Sequence, residues 1–137
     1  MRPGVNIWSG ARGDQLAAAL TNPTALARRK GNLDRDYPVT VDGVVYEDAE
    51  AAYHALKPHS GHIGTVARVV ALKLEQHPHL ARWIEARGGR DWLMTCSHHT
   101  GARSARFQWW EGDGLDSPFI TALVRGCEDY LASTTAR

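Results

Sequence analysis

Apolar positions along the chain follow two different periods. Between Tyr37 and Tyr46 they form two β-rich runs, Tyr37-Pro-Val-Thr-Val41 and Val44-Val-Tyr46, separated by Asp42-Gly43. That arrangement predicts a hairpin with a type I′ turn, because Gly43 can take the positive φ this turn demands. Downstream the spacing becomes helical. An alanine-rich stretch from Glu47-Asp48 to Lys57 carries acidic residues at its positive end and stops before Pro58. It predicts a helix of about two to three turns. Val66, Ala67, Val70 and Leu74 make a stripe that predicts a helix from Gly64 to Gln76. Pro78 opens another helix at its first turn, with Leu80, Trp83 and Ile84 facing inward, and Gly88-Gly89 stops it. The last helix begins at Ser117-Pro118, an N-cap and N1 pair, with Phe119, Leu123, Cys127, Tyr130 and Leu131 along its buried side.

The first 36 residues are less periodic, with three glycines among the first thirteen and a turn signal at Thr21-Asn22-Pro23-Thr24. They read as loop with one short helix over Gly13 to Leu20, where Leu16, Ala17 and Leu20 share a face and Asp14 lies near the positive end. A second short turn covers Ala25 to Lys30. Trp92 to Cys96 is a short apolar segment, and His98 to Arg106 is polar and loop-like. The fold class expected is mainly α, a multihelical domain with one small β-hairpin. It divides into a loop-rich segment (1–36), the hairpin (37–46) and a helical body (47–132).

Length and composition narrow this further. A chain of 137 residues suffices for one core, so the functional residues are expected to converge on one site. Hydrophobic residues at 43% and charged residues at 23% match a folded globular protein. No apolar run approaches the roughly 18 residues of a membrane span, and the start lacks the apolar core of a signal peptide. No membrane association is expected. Cys96 and Cys127 have no CxxC spacing and are too few for a disulfide framework, which fits reduced thiols in a cytoplasmic protein. The net charge of +1 excludes a strongly basic nucleic-acid binder, although Arg28-Arg29-Lys30 offers a local patch for phosphates. Seven histidines gather as His54/His59/His62, His77/His79 and His98/His99. The nearest approach to a metal signature, Cys96-Ser-His98-His99, has no obvious fourth ligand, so neither a metal nor a cofactor is expected.

One helical face stands out chemically. Glu50, Tyr53, His54 and Lys57 fall at i, i+3, i+4 and i+7, which aligns a carboxylate, a phenol, an imidazole and an ammonium. Ala52, Ala55 and Leu56 point the other way, toward the core. Solvated faces of this kind are common, so the pattern alone does not select a function.

The run Val41-Asp-Gly43-Val-Val-Tyr46-Glu-Asp-Ala-Glu50-Ala-Ala-Tyr53-His-Ala-Leu-Lys57 resembles the signature of the NADAR, or YbiA-like, family: Asp-Gly, an aromatic, then Ser/Thr-x-Glu-His-x-x-Gln-x-x-Lys. Further pieces follow in the family's order. Asn6-Ile-Trp8-Ser9 is similar to its Asn-Phe-Tyr-Ser opening, Leu72-Lys-Leu-Glu-Gln-His-Pro78 to its Lys-Phe-x-Gln-His/Asn helix, and Trp110-Glu-Gly112-Asp113-Gly114 to its Trp-Gly-x-Gly loop. Phe119 to Leu131, with Arg125, is similar to its closing helix. Ala51 and His54 stand where the family has histidine and glutamine, and Phe107 stands where it has an aspartate ahead of the tryptophan.

The resemblance implies a YbiA-like helical domain that handles ADP-ribose-type nucleotides and hydrolyses N-glycosidic bonds. Family activities include cleavage of ribosyl-pyrimidine intermediates and removal of ADP-ribose from guanine. Breaking a C–N bond at an anomeric carbon passes through an oxocarbenium-like state that a nearby carboxylate stabilises. Glu50 is the first candidate catalytic residue. Asp113, or Asp116, substitutes for the family's aspartate, which makes Asp113 the second. Lys57 and Arg12 are candidate phosphate contacts, and Trp110 with Trp8 offers a stacking face. Asn6, Asn22, Tyr53 and His54 complete the expected substrate contacts. The substrate is expected to be a small nucleotide or an ADP-ribosylated nucleic acid. A module that binds NAD or ADP-ribose without cleaving it is the alternative, and a metal-dependent hydrolase is the contrasting class.

Overall fold

A computed structural model describes residues 2–56 and 61–135. Lys57, Pro58 and His59, with the inferences drawn from them, lie outside the described residues. Among those described the protein is mainly α-helical, and none of its helices is long and apolar enough to cross a membrane.

Two short helices, α1 (Gln15–Ala19) and α2 (Thr24–Arg29), form in the segment expected to carry one helix and one turn. Asp14 caps α1 by accepting from the N–H groups of Leu16 (3.1 Å) and Ala17 (3.2 Å). Its carboxylate also takes a two-pronged contact from Arg87, at 2.8 Å to each oxygen. That guanidinium holds the Asp14 carboxyl below its ordinary range.

The hairpin pairs β1 (Val39–Val41) with β2 (Val44–Tyr46) around a two-residue turn. Asp42 (φ 49°) and Gly43 (φ 83°) both take positive φ, the backbone of a type I′ turn. The helix α3 (Ala49–Leu56) follows at once. Asp48, buried just ahead of it, accepts from Ala51 N–H at 2.9 Å and from Ala25 N–H at 3.0 Å. One carboxylate thus satisfies open N–H groups at the starts of both α3 and α2. Replacing it with alanine removes two caps, each worth about 0.5–2 kcal/mol. Asp48→Ala is therefore expected to lower the unfolding free energy by roughly 1–4 kcal/mol, read from urea denaturation.

The core lies between α4 (His62–Gln76) and α8 (Pro118–Thr135). Their axes approach closely at Gly126: a Cβ there would sit 2.7 Å from the Ala67 carbonyl oxygen and 2.7 Å from Val70 Cβ. Ser117, fully buried, caps α8 through its Oγ, which accepts from Ile120 N–H at 3.2 Å. Between these helices run α5 (Pro78–Arg87), α6 (Arg90–Leu93) and α7 (Ala105–Gln108). A second two-stranded sheet, β3 (Ser97–His98) with β4 (Gly112–Asp113), joins a stretch expected to be loop to the tryptophan segment, and Asn6 bridges to Ser97 beside it.

Three expectations about burial are corrected. Trp83 is 40% exposed and stacks on His79 rather than on the core, because it stands one residue off the Leu80/Ile84 stripe that α5 buries. Ala55 is exposed, and Ala49 with Ala52 forms the inner side of α3. Leu131 is 44% exposed: the buried positions of α8 end at Cys127, and its last turns run beyond the core.

Candidate active site

The described residues enclose a cleft of about 1110 Å³ where α3, the start of α4 and the segment around α7 face the turn after α1. Its polar lining residues include Ser9, Thr21, Asn22, Glu50, His54 and Thr100. Its aromatic ones include Tyr53, Phe107, Trp109, Trp110 and Phe119.

The helical spacing read from the sequence brings Glu50, Tyr53 and His54 to this cleft together. His54 Nε2 lies 2.7 Å from Glu50 Oε1, one helical turn apart. Tyr53 is buried, its hydroxyl 2.8 Å from His62 Nδ1 and its ring edge-to-face with Trp110 at 5.8 Å. Burial, then the nearby Glu50 charge, pushes the Tyr53 phenol up, so it stays protonated and serves as a hydrogen-bonding group.

Trp109 and Trp110 pack perpendicular to each other at 4.8 Å, and His62 lies against both, at 6.2 Å and 6.3 Å. The tryptophan segment is fastened at two points. Ser117 Oγ–H donates to the Trp110 carbonyl at 2.6 Å while capping α8. Glu111 accepts from both the N–H and the hydroxyl of Thr100, whose hydroxyl is the main cause holding the Glu111 carboxyl below its ordinary range. The loop so closed carries Arg106, a cation on the cleft wall.

The polar lining residues have their own supports. Lys73 is only 2% exposed, and its ammonium donates to the carbonyls of Ala19 and Thr21 (2.8 Å to the latter), which fixes the turn after α1. Burial pushes its pKa down to about 7, opposed by the charge of Asp48. The Asn22 carbonyl accepts from Glu50 N–H at 3.1 Å, which ties that turn to the start of α3. Asn22 Oδ1 and Thr24 Oγ1 are buried without a hydrogen-bond partner among the described residues. An unpaired buried polar atom costs about 1–3 kcal/mol.

His98 completes the floor. Its Nδ1 lies 2.6 Å from the Ile7 carbonyl and must donate there, and its ring packs on Phe119 at 4.4 Å. Burial pushes its pKa below the ordinary value, so the neutral ring keeps Nε2 as an acceptor.

Of the remaining candidates, Trp110 and Asn22 line the cleft, whereas Asn6, Trp8, Arg12 and Asp113 are not among its lining residues. The Asn6 amide is engaged with the backbone of His99, donating to its carbonyl and accepting from its N–H at 2.9 and 2.8 Å. Trp8 lies beneath Lys30, whose ammonium sits 5.6 Å from its ring. Arg12 is exposed, and Asp113 pairs with His99 at 2.9 Å on the surface. The opening segment reaches the cleft through Ser9 instead.

The Trp-Trp pair marks Trp109 in the sequence together with Trp110, whereas His62, His98 and Arg106 are not expected there as site residues. The histidine clusters carry no signal beyond an incomplete metal pattern. No group of three or more His, Cys, Asp and Glu side chains among the described residues is placed to hold a metal ion. Comparison with protein-family models, curated proteins and solved structures finds no match to this chain.

Proposed function

We propose that the cleft binds a nucleotide of ADP-ribose or ribose-phosphate type and hydrolyses its N-glycosidic bond. The observation that carries this reading is the Glu50–His54 pair in a cleft whose lining also holds Tyr53, Trp109 and Trp110. At about 1110 Å³ the cleft lies just above the roughly 300–1,000 Å³ of ordinary ligand pockets and has room for a nucleotide. A base stacks against Trp110 and the ribose lies toward Glu50. As the C1′–N bond lengthens, the carboxylate stabilises positive charge at the anomeric carbon. Water attacks that carbon and gives a proton to Glu50. The bonding pair leaves with the base; a base linked through a neutral nitrogen takes up a proton from solvent, nicotinamide leaves neutral without one, and Glu50 returns its proton to solvent. His54 donates to Glu50 and holds the carboxylate in place. Arg106 provides a cation for phosphate.

Incubation with ADP-ribosyl-guanosine, NAD and a ribosylamino-pyrimidine phosphate tests the reading by chromatography. Release of a free base or amide, with one equivalent of the sugar phosphate, is expected from at least one. All three recovered intact would contradict it. Trp110→Ala is expected to weaken binding of the cleaved compound about tenfold to a hundredfold, since stacking contributes about 1–3 kcal/mol per base; calorimetric titration measures this.

Binding without cleavage is the second reading. One observation favours it: Glu50 is the one carboxylate among the described lining residues, and Asp113 lies elsewhere. Saturable binding with no product would establish it.

A further inference from the structure

We infer that Asn22 is a recognition residue that reads an amide-type edge, a hydrogen-bond donor beside an acceptor, on the ligand. Assigning that edge to the group that leaves the ribose rests on the proposed N-glycosidase reading. The recognition itself does not.

Three observations meet at this residue. Asn22 is 7% exposed, lines the cleft, and holds its Oδ1 away from solvent with no partner among the described residues. Its backbone is tightly constrained. The Asn22 carbonyl accepts from both Glu50 N–H (3.1 Å) and Thr24 N–H (2.9 Å), and Lys73 grips the preceding carbonyl, that of Thr21, at 2.8 Å. Those contacts fix the Asn22 backbone in the turn, and through the Glu50 N–H they join it to the first turn of α3, the helix that carries the proposed catalytic carboxylate.

A buried amide oxygen without a partner is unfavourable in the empty protein, and a ligand that supplies the missing bond gains from that arrangement. Asparagine presents a carbonyl acceptor and an NH₂ donor side by side, so its natural complement carries one donor next to one acceptor. Purines and pyrimidines with a lactam or an exocyclic amine offer this edge, and so does a carboxamide on an aromatic ring. Both are flat groups suited to the aromatic rings of Tyr53 and Trp110 that line the same cleft.

Calorimetric titration with two matched pairs of probes tests the assignment. Inosine carries the lactam edge that purine riboside lacks, and nicotinamide carries the carboxamide donor that 3-acetylpyridine replaces with a methyl group. One pair is expected to differ by about tenfold to a hundredfold in affinity for the wild type, the usual size of a bidentate contact. Which pair differs identifies the source of the edge. The preference should vanish in Asn22→Leu, and in Asn22→Asp, which keeps the shape but can no longer donate; thermal melts verify that each variant is folded. If Asn22→Leu does not fold, Asn22→Asp carries the test.

Equal affinity within both pairs, no binding of any probe, or a preference that survives in a folded Asn22 variant would each overturn the inference. The chromatographic release assay separates its failure from that of the enzymatic reading. Cleavage without edge discrimination removes only the role of Asn22, whereas discrimination without cleavage leaves Asn22 as the reader of a binding cleft.

Discussion

Glu50→Gln is expected to abolish measurable turnover while leaving ligand affinity nearly unchanged. Glutamine keeps the size of the side chain and an acceptor oxygen for His54 Nε2, now 2.7 Å from the Glu50 carboxylate. It removes the negative charge that the oxocarbenium-like state requires and the basicity that takes the proton from water. A general base contributes roughly a hundredfold to ten-thousandfold in rate, so kcat should fall by about that factor. Affinity should hold, because stacking on Trp110 and the contacts of the other polar lining residues do not depend on that charge. Single-turnover kinetics beside equilibrium titration separates the two quantities. If kcat and affinity fell together, Glu50 would be a binding contact and not the catalytic carboxylate.

Lys73 gives the second large effect, on stability rather than on chemistry. Lys73→Ala leaves a hole in the core between α4 and the turn after α1, and it strips the donor from the Ala19 and Thr21 carbonyls. Cavity formation and orphaned carbonyls together should cost roughly 3–5 kcal/mol, a large part of the 5–15 kcal/mol typical of a small domain. Urea denaturation reads the loss directly.

The lysine also makes stability depend on pH. Its pKa falls from 10.5 to about 7 on burial. Across that interval the unfolded chain carries a proton at this site that the folded protein does not, so stability rises with pH and levels off above the unfolded pKa. Lys73→Met keeps the length and abolishes the titration. The unfolding free energy of the wild type minus that of Lys73→Met should therefore grow between pH 7 and pH 9.5. A difference that stays flat or shrinks would mean that Lys73 remains protonated throughout the window.

Much of the framework was legible in the chain because local rules govern it. Asp-Gly specified the hairpin turn, Pro78 and Ser117-Pro118 marked two helix starts, and the Val66/Val70/Leu74 stripe named the inner face of α4. The alignment of Glu50, Tyr53 and His54 on one side of α3 followed from helical spacing alone. What escaped depends on contacts distant in sequence. Lys73 stands beside the Val66/Val70/Leu74 stripe with no local signal for burial, yet it is buried because two carbonyls more than fifty residues earlier accept hydrogen bonds from its side chain. His98 looked like one of several scattered histidines until Ile7 and Phe119 set its tautomer and ring plane.

The same distance dependence separates the candidates that reach the cleft from those that do not. Asn6 looked available for ligand, but its amide closes onto the His99 backbone, 93 positions along the chain. Asp113 is close in sequence to Trp110, and the turn of the chain through β4 carries its carboxylate to His99 on the surface. Trp83 shows the limit of counting hydrophobic residues on a short surface helix, where one step off the stripe leads to solvent.

The most direct test of the central claim, that this cleft cleaves an N-glycosidic bond with Glu50, is proton NMR of ADP-ribosyl-guanosine mixed with wild type and, in a parallel tube, with Glu50→Gln. The expected result is decay of the glycosidic anomeric signal and growth of free ADP-ribose with the wild type alone, while the ligand signals broaden on binding in both. Persistence of the anomeric signal with the wild type for this compound and equally for NAD and the ribosylamino-pyrimidine phosphate, or equal decay with Glu50→Gln, would contradict it.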